Sequence, residues 1–372
     1  MKKIIYIFIF LLPIILLSCS GSNIEAELKS QLEIAEQKSE QEDTSTLTPK
    51  ADTDAKTTSC QSSKSGDSVV DVKPICEVTP LINFINYTNY DNDYIYESIK
   101  LADSKMADRR ASVIAFIYPV GERTGKMSDN ERFELHEVLM STDEIDSMHQ
   151  SIENWMKNDE CLGRKKGLRN EHLDLYRYWL ESGVDASTMQ ALCKETRVVA
   201  MGITKNMRER EPLEEFQAFL IHEFYHAFQQ DLEDEGNCRR SRDQEDSNRN
   251  WMVEGGAHYF STMLVHEFNQ IPNPHNTILM KAYDGYYNSS EKLDLYDVGP
   301  DISGAAALYL MINLEMLDEK RIMDARLFHN CDSEFSFDKN SSEIKHIKNS
   351  WYKIDEVSDN KFSFGSQAFK LK

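Results

Sequence analysis

The sequence predicts an α+β protein in which a small mixed sheet and helices form a first lobe and mostly helices form a second. Two short apolar segments rich in β-branched residues, 112–118 and 197–204, predict sheet strands, and Pro119 is expected to end the first of them. Amphipathic patterns near residues 130–158 and 170–192 predict helices between these strands. Residues 74–372 suit one globular unit, with lobes at about 74–230 and 231–372.

The second strand is followed by a segment whose pattern predicts a helix packed deep in a core. Pro212 suits a first helical turn, because its φ angle is fixed near the helical value and it lacks an N–H that would be unpaired there. Glu214 and Glu215 place negative charge at the positive end of the helix dipole. The apolar residues then recur at spacings of three and four: Leu213, Phe216, Leu220, Phe224, Ala227 and Phe228.

This helix carries an H-E-x-x-H motif, His222-Glu223-Phe224-Tyr225-His226. Histidines four positions apart project from one helix face, so their ring nitrogens can meet at one divalent metal ion, about 2.0–2.1 Å from zinc. Glu223 lies beside that face, where its carboxylate can take a proton from a water held by the metal. A metal site of this kind needs a third ligand from a separate element.

Glu254, 28 residues after His226, is the candidate for that third ligand. It lies in residues 250–268, where the spacing of apolar residues predicts another helix. Two histidines and one glutamate leave a fourth position for water, which is typical of catalytic zinc sites. Gly255 and Gly256 each cost a helix about 1 kcal/mol relative to alanine. That cost is explained if the two helices that carry the ligands approach closely, as they must when ligands from both reach one ion.

These residues resemble the gluzincin clan of zinc metallopeptidases. The likeness rests on His222, Glu223, His226 and Glu254 and on the W-x-x-E-G-G-A segment around Glu254, which is similar to collagenase-type catalytic domains. It covers residues 213–263. The resemblance implies a zincin-like, two-lobed metallopeptidase fold and one zinc ion per chain, held by the two histidines and Glu254. It also implies that Glu223 is the general base and proton shuttle for hydrolysis of a peptide or protein substrate.

Three further features of the clan bear on this chain. The sequence has no upstream G-x-M-E-N segment, which in aminopeptidases of the clan binds the free amine of the substrate, so an endopeptidase is favoured. The large accessory domains of true collagenases do not fit in 372 residues, which argues against activity on triple-helical collagen. In similar enzymes an edge strand of the first lobe pairs with the extended substrate, and the strand at 198–204 precedes the motif helix.

The oxyanion formed during hydrolysis needs a second stabilising donor beside zinc, and related peptidases use a tyrosine or histidine for this purpose. The candidates are His258, Tyr296 and Tyr309. His258 lies four residues after Glu254 on the same helix face, where it can reach the site or can instead serve as an outer, supporting residue. Tyr296 precedes a glycine-rich turn at 299–304 and an alanine-rich helix, and a core position is the alternative for each tyrosine.

The N-terminus predicts an exported lipoprotein. Lys2 and Lys3 precede an apolar stretch at 4–17 that is too short for the ~20 residues of a membrane span. The stretch ends in Leu16-Leu17-Ser18-Cys19, which resembles a bacterial lipobox. That resemblance implies removal of a signal peptide at residues 1–18 and lipidation of Cys19, with an ordinary secretory signal as the alternative. Ser20 after the cysteine favours an outer membrane where the cell has one, and the polar residues 19–73 predict a disordered tether.

Cysteine usage agrees with export. Seven cysteines less Cys19 leave six, and an even number in an exported chain suggests disulfides, with 15 possible pairings. Sequence neighbours suggest the pairs Cys60–Cys76 and Cys161–Cys193, which leave Cys238–Cys331 to brace the connection between the two ligand helices.

The net charge of the chain bears on which classes of partner it can bind. The net charge of −21 argues against nucleic acid and against attraction to an anionic membrane beyond the lipid anchor. Residues 231–249 are dense in charge and join the two ligand helices, so they form either a lid near the cleft or a solvated loop.

The leading hypothesis is a zinc endopeptidase. The alternatives are a non-catalytic binding lipoprotein on a gluzincin scaffold and a zinc amidase acting on cell-wall material.

Overall fold

A computed structural model of the chain describes residues 59–61, 73–106, 111–127, 134–184, 188–193, 196–235, 246–296, 298–328 and 341–370. All of these belong to one compact unit. The predicted signal peptide, Cys19 and the tether before residue 59 lie outside the described residues, as do Cys238, Cys331 and residues 236–245 of the charged segment.

The described strands form a mixed sheet of seven strands and a separate hairpin, so the predicted α+β class is confirmed. The strands are β1 Ser59–Gln61, β2 Ile75–Thr79, β3 Ile82–Asn86, β4 Ser112–Met127, β5 Glu134–Val138, β6 Thr188–Cys193, β7 Thr196–Ile203, and the hairpin β8 Ile354–Ser358 and β9 Lys361–Phe364. In the sheet, β3 and β4 are parallel, as are β4 and β7, whereas the other neighbours are antiparallel. The order is β1-β2-β3-β4-β7-β6, with β5 paired to the far half of β4.

The two predicted strands correspond to β4 and β7, but the expectation that Pro119 ends the first is wrong. β4 runs through Pro119 to Met127. The carbonyl of Ile117 accepts a hydrogen bond from Tyr87, on the side of β3. Backbone polar groups of a strand alternate in direction, so Pro119 has its missing N–H on that same side, where β3 has already ended at Asn86. Proline therefore costs the sheet no hydrogen bond at this position.

The sheet separates two apolar cores. Val113 and Ile117 of β4 belong to one core, and Ile114 and Phe116, which alternate with them, belong to the other. Alternation of this kind follows from the two-residue period of a strand. All eight residues of β7 are buried, which explains the unbroken apolar run seen in the sequence.

Helices cover both faces of the sheet. None of the helices in the described ranges is both long and apolar enough to cross a membrane. One core receives α1, α5 and the helices after them, and the other receives α2 and α3. The helices are α1 Asn92–Lys105, α2 Thr142–Asn158, α3 Lys166–Ser182, α4 Lys205–Glu209, α5 Leu213–Glu235, α6 Asp246–Phe268, α7 Pro274–Tyr283, α8 Pro300–Asn313, α9 Glu319–Met323 and α10 Ser342–Lys348.

The helices predicted near 130–158 and 170–192 are each too long. Ser141 forms a capping box with Glu144 at the start of α2, and β5 lies before it. Gly183, in the left-handed conformation with φ 65°, ends α3, and β6 follows. Within the two ranges predicted to be helical, β5 and β6 are strands, and each lies beside one of these caps. Their pairing with β4 and β7 outweighs the helical pattern of their short sequences.

β7 lies between β4 and β6, so both of its edges are hydrogen-bonded. It therefore does not offer a free edge to an extended peptide. Among the described strands, β6 is the antiparallel edge strand on this side of the sheet.

A close helix contact passes through two glycines. A methyl group on Gly304 of α8 would overlap the carbonyl oxygen of Trp251 in α6, and one on Gly255 would overlap the backbone of Gly304. A methyl group on Gly256, by contrast, would lie 3.3–3.5 Å from Phe328, Tyr225 and Gln229. The glycine pair predicts a close approach of the two ligand helices, and for Gly255 this prediction is wrong, because the backbone it meets is that of α8. Gly256 faces side chains that include two from α5, the other ligand helix.

Two disulfides are present among the described residues, Cys60–Cys76 and Cys161–Cys193, and both match the pairing of sequence neighbours. The first joins register partners of β1 and β2. The second ties the segment between α2 and α3 to the end of β6, the edge strand. The predicted Cys238–Cys331 pair lies outside the described residues.

We predict that Gly304→Ala lowers the free energy of unfolding by at least about 1–3 kcal/mol, because the added methyl group has no room between α8 and α6. Gly167→Ala is the control, since a methyl group there meets nothing within 4 Å and alanine favours the helix. Chemical denaturation of both variants measures the difference. Equal stability of Gly304→Ala and wild type would contradict the close helix contact.

Candidate metal centre

Helix α5 places His222, Glu223 and His226 at the wall of the core. Its residues Phe216, Leu220 and Phe224 are fully buried in that core. This burial fixes the rotation of the helix, because the apolar stripe can face only one way. The two histidines, one turn apart, then point together away from the stripe.

Three side-chain atoms from two helices converge at one point. Nε2 of His226 lies 3.1 Å from Nε2 of His222. Oε2 of Glu254, on α6, lies 3.4 Å from Nε2 of His222 and 3.3 Å from Nε2 of His226. Ligands about 2.0–2.1 Å from a tetrahedral ion stand about 3.3–3.4 Å from one another. The spacing of the three atoms therefore fits a single ion bound by all three.

The surroundings of these atoms also fit a metal ion. Glu254 is only 7% exposed, and its Oε2 has no hydrogen-bond partner within the part of the chain that the structure describes. A buried carboxylate oxygen without such a partner carries a large desolvation cost. An ion beside Oε2 would offset that cost, and the imidazole and carboxylate donors are of the type that zinc prefers.

Glu223 is the second carboxylate beside the histidines. Its Oε1 lies 4.0 Å from Nε2 of His222, farther than either distance from Glu254 Oε2 to the histidine nitrogens. His222, Glu223 and His226 form a group that could hold a metal ion. The shorter distances favour Glu254 over Glu223 as the carboxylate ligand. Both glutamates are buried.

Without an ion, the histidines and Glu254 influence each other's protonation. Burial acts to lower the pKa of His226, but the charges of Glu254 and Glu223 and the contact with Gln229 raise it to about 9. Burial acts to raise the pKa of Glu254, and the two histidines more than reverse this and hold that pKa well below its usual range. The site is thus built for a positive charge, which a proton supplies when no metal does.

Two residues near the site were not singled out as functional by sequence reasoning. Gln229, one turn beyond His226, places its Oε1 2.7 Å from Nδ1 of His226. Asp301, in the first turn of α8, places Oδ2 3.5 Å from Nδ1 of His258. The three-residue spacing from His226 was a usable signal for Gln229. The position of Asp301 depends on how α8 crosses α6, which the sequence does not specify.

His258 lies on the same helix as Glu254 and faces Asp301. Its side chain is largely buried, and its Nε2 has no hydrogen-bond partner among the described residues. Burial, with the nearby charges of Lys281 and His222, holds the pKa of His258 well below its usual value. The imidazole is therefore neutral at pH 7. Burial raises the pKa of Asp301.

The structure gives each candidate tyrosine a contact outside the three converging atoms. Tyr296 is 37% exposed, and the ammonium of Lys348 lies over its ring at 5.4 Å. Tyr309 stacks on His275 with ring centroids 4.4 Å apart. A role for either tyrosine as a donor in the reaction stays a prediction.

Comparisons with protein-family models, with curated proteins and with solved structures give no significant match to this chain. The resemblance to gluzincins therefore rests on the motif residues alone.

We predict that zinc affinity rises with pH up to about 9. In the metal-free protein His226 keeps its second proton below that pH, and zinc must displace this proton to bind Nε2. One displaced proton changes the apparent dissociation constant about tenfold per pH unit. Competition titrations against a chelator at pH 6.5, 7.5 and 8.5 measure this slope. The control, His275→Gln, alters a histidine outside the cluster and should leave the slope unchanged, whereas a wild-type affinity independent of pH would contradict the prediction.

Proposed function

We propose that this protein is a zinc-dependent endopeptidase with a zincin-like active site. The observation that carries the proposal is the convergence of His222 Nε2, His226 Nε2 and Glu254 Oε2 at 3.1–3.4 Å, with the carboxylate of Glu223 alongside. Three protein ligands leave one coordination position for water or substrate, as hydrolysis requires. A closed structural zinc site would need a fourth protein ligand.

Zinc, when bound, polarises the scissile carbonyl and makes a water molecule more acidic. Residues of the chain carry out the proton transfers and hold the ion. Glu223 accepts a proton from the attacking water as the water oxygen bonds to the carbonyl carbon. Glu223 then gives this proton to the amide nitrogen as the carbon–nitrogen bond breaks, which restores its carboxylate. His222, His226 and Glu254 hold the ion in place, and burial of the two glutamates keeps competing solvent away from the site.

His258 has the properties of a neutral residue that supports the reaction. It is largely buried, and its low pKa leaves it uncharged. Its Nδ1 lies 3.5 Å from Oδ2 of Asp301. The structure favours His258 over Tyr296 as the residue beside the reacting carbonyl, because Tyr296 lies on the surface.

We further propose that the enzyme acts outside the cytoplasm, attached to a membrane through Cys19. The lipobox-like sequence supports this, and so do the two disulfides, which persist only in oxidising compartments in most cells. The anchor would hold the enzyme on the bacterial cell envelope, in the outer membrane where one exists.

Glu223→Gln tests the reaction. We expect the variant to keep its zinc and to lose at least about 10²–10⁴-fold in peptide cleavage, because the amide cannot accept the proton of water. The substrate is a mixed peptide library read by mass spectrometry, and metal content is measured on the same samples. Glu214→Gln, the same change at the start of the same helix, is the matched control and should retain activity.

Three outcomes would contradict an endopeptidase. A folded protein without stoichiometric metal would remove the site. A zinc-loaded wild type that cleaves no peptide but binds one, equally before and after Glu223→Gln, would support a binding lipoprotein. Cleavage confined to cell-wall fragments would support a zinc amidase.

A further inference from the structure

Gln229 contacts His226, a proposed metal ligand. The contact is made with Nδ1 of the imidazole, the ring nitrogen that faces away from the proposed metal position. Gln229 lies on α5, is 2% exposed, and places Oε1 2.7 Å from Nδ1 of His226. Its amide nitrogen donates to the carbonyl of Val253 at 2.9 Å. A carbonyl only accepts hydrogen bonds, so this second contact requires the amide nitrogen on that side and the amide oxygen toward His226.

The orientation of the amide determines which nitrogen of His226 carries the proton in the neutral ring. The amide oxygen can only accept, so Nδ1 must be the donor. The lone pair is then on Nε2, the nitrogen 3.3 Å from Glu254 Oε2. A metal ion binds the nitrogen that has the lone pair, and the partner of the other nitrogen sets which one that is.

The second contact of Gln229 reaches the other ligand helix. Val253 is the residue before Glu254 on α6. One buried side chain therefore joins the ring of His226 to the backbone beside Glu254.

We propose that Gln229 is a positioning residue of the metal site: it fixes the tautomer and direction of His226 and ties the two ligand helices together. This inference rests on the proposed metal-dependent function. Gln229 does not touch the reacting atoms, and it acts on metal affinity through His226. Its amide is neutral, so it orients the ring without adding another negative charge to a site that already has two glutamates.

Cobalt(II) is the probe, because its absorption spectrum reports the ligand geometry and its affinity is measured by competition with a chelator. Gln229→Met keeps the size and shape of the side chain but removes both hydrogen bonds. We expect its cobalt affinity to fall about 10–100-fold. Gln229→Glu retains an acceptor for Nδ1 but cannot donate to the carbonyl of Val253, so its cobalt affinity should lie between those of wild type and Gln229→Met. Gln230→Leu, at the neighbouring buried position, is the matched control and should bind as wild type does.

The possible outcomes distinguish failure of the proposed metal site from failure of the proposed role of Gln229. Failure of the wild type to bind cobalt would overturn the metal site and this inference with it. Wild-type binding together with unchanged affinity in Gln229→Met, or an equal loss in Gln230→Leu, would overturn the role of Gln229 alone.

A second measurement needs no variant, so the proposal can be tested even if Gln229→Met does not fold. Nitrogen-15 spectra of the zinc-loaded wild type should show His226 with its proton on Nδ1 and zinc on Nε2. Zinc on Nδ1 of His226, or a rapidly exchanging Nδ1 proton, would overturn the proposal.

Discussion

The arrangement around the site follows from one constraint: two imidazole nitrogens and a carboxylate oxygen, carried by two different helices, must meet within about 3.4 Å inside an apolar core. Polar groups are costly in such surroundings unless they are paired or hold an ion. The apolar stripe of α5 fixes the rotation of one helix. The glycine contact between Gly255 and Gly304 lets α8 press against the helix that carries Glu254.

Either a metal ion or a proton can offset the negative charge that the two glutamates place beside the histidines. Glu254 and Glu223 concentrate negative charge beside His222 and His226, which raises the pKa of His226 to about 9 in the metal-free protein. A divalent ion would replace that proton and would contact the Glu254 oxygen that has no hydrogen-bond partner among the described residues. The features that hold a proton strongly are thus the features that would hold a metal strongly, and Gln229 directs His226 to the shared position.

Sequence reasoning could select the candidate ligand residues because helical periodicity converts spacing along the chain into direction around the helix. His222 and His226 share a face for that reason, and the short chemistry-rich segment around Glu254 supplied the third group. The disulfides Cys60–Cys76 and Cys161–Cys193 were reached from sequence proximity. The strands β5 and β6 were missed because each is a short sequence next to a helix cap, and its conformation is set by pairing with a distant strand. The contacts of Gly255 with Gly304 and of His258 with Asp301 depend on how the helices cross. No local sequence pattern specifies that crossing.

X-ray absorption at the zinc edge, on full-length protein loaded with one equivalent of zinc, tests the central claim most directly. We predict four nitrogen or oxygen neighbours at about 2.0–2.1 Å, with the outer-shell scattering of two imidazole rings and no sulfur. Sulfur neighbours at about 2.3 Å, scattering from a single imidazole, or failure to bind one equivalent of zinc would contradict a site made by His222, His226 and Glu254.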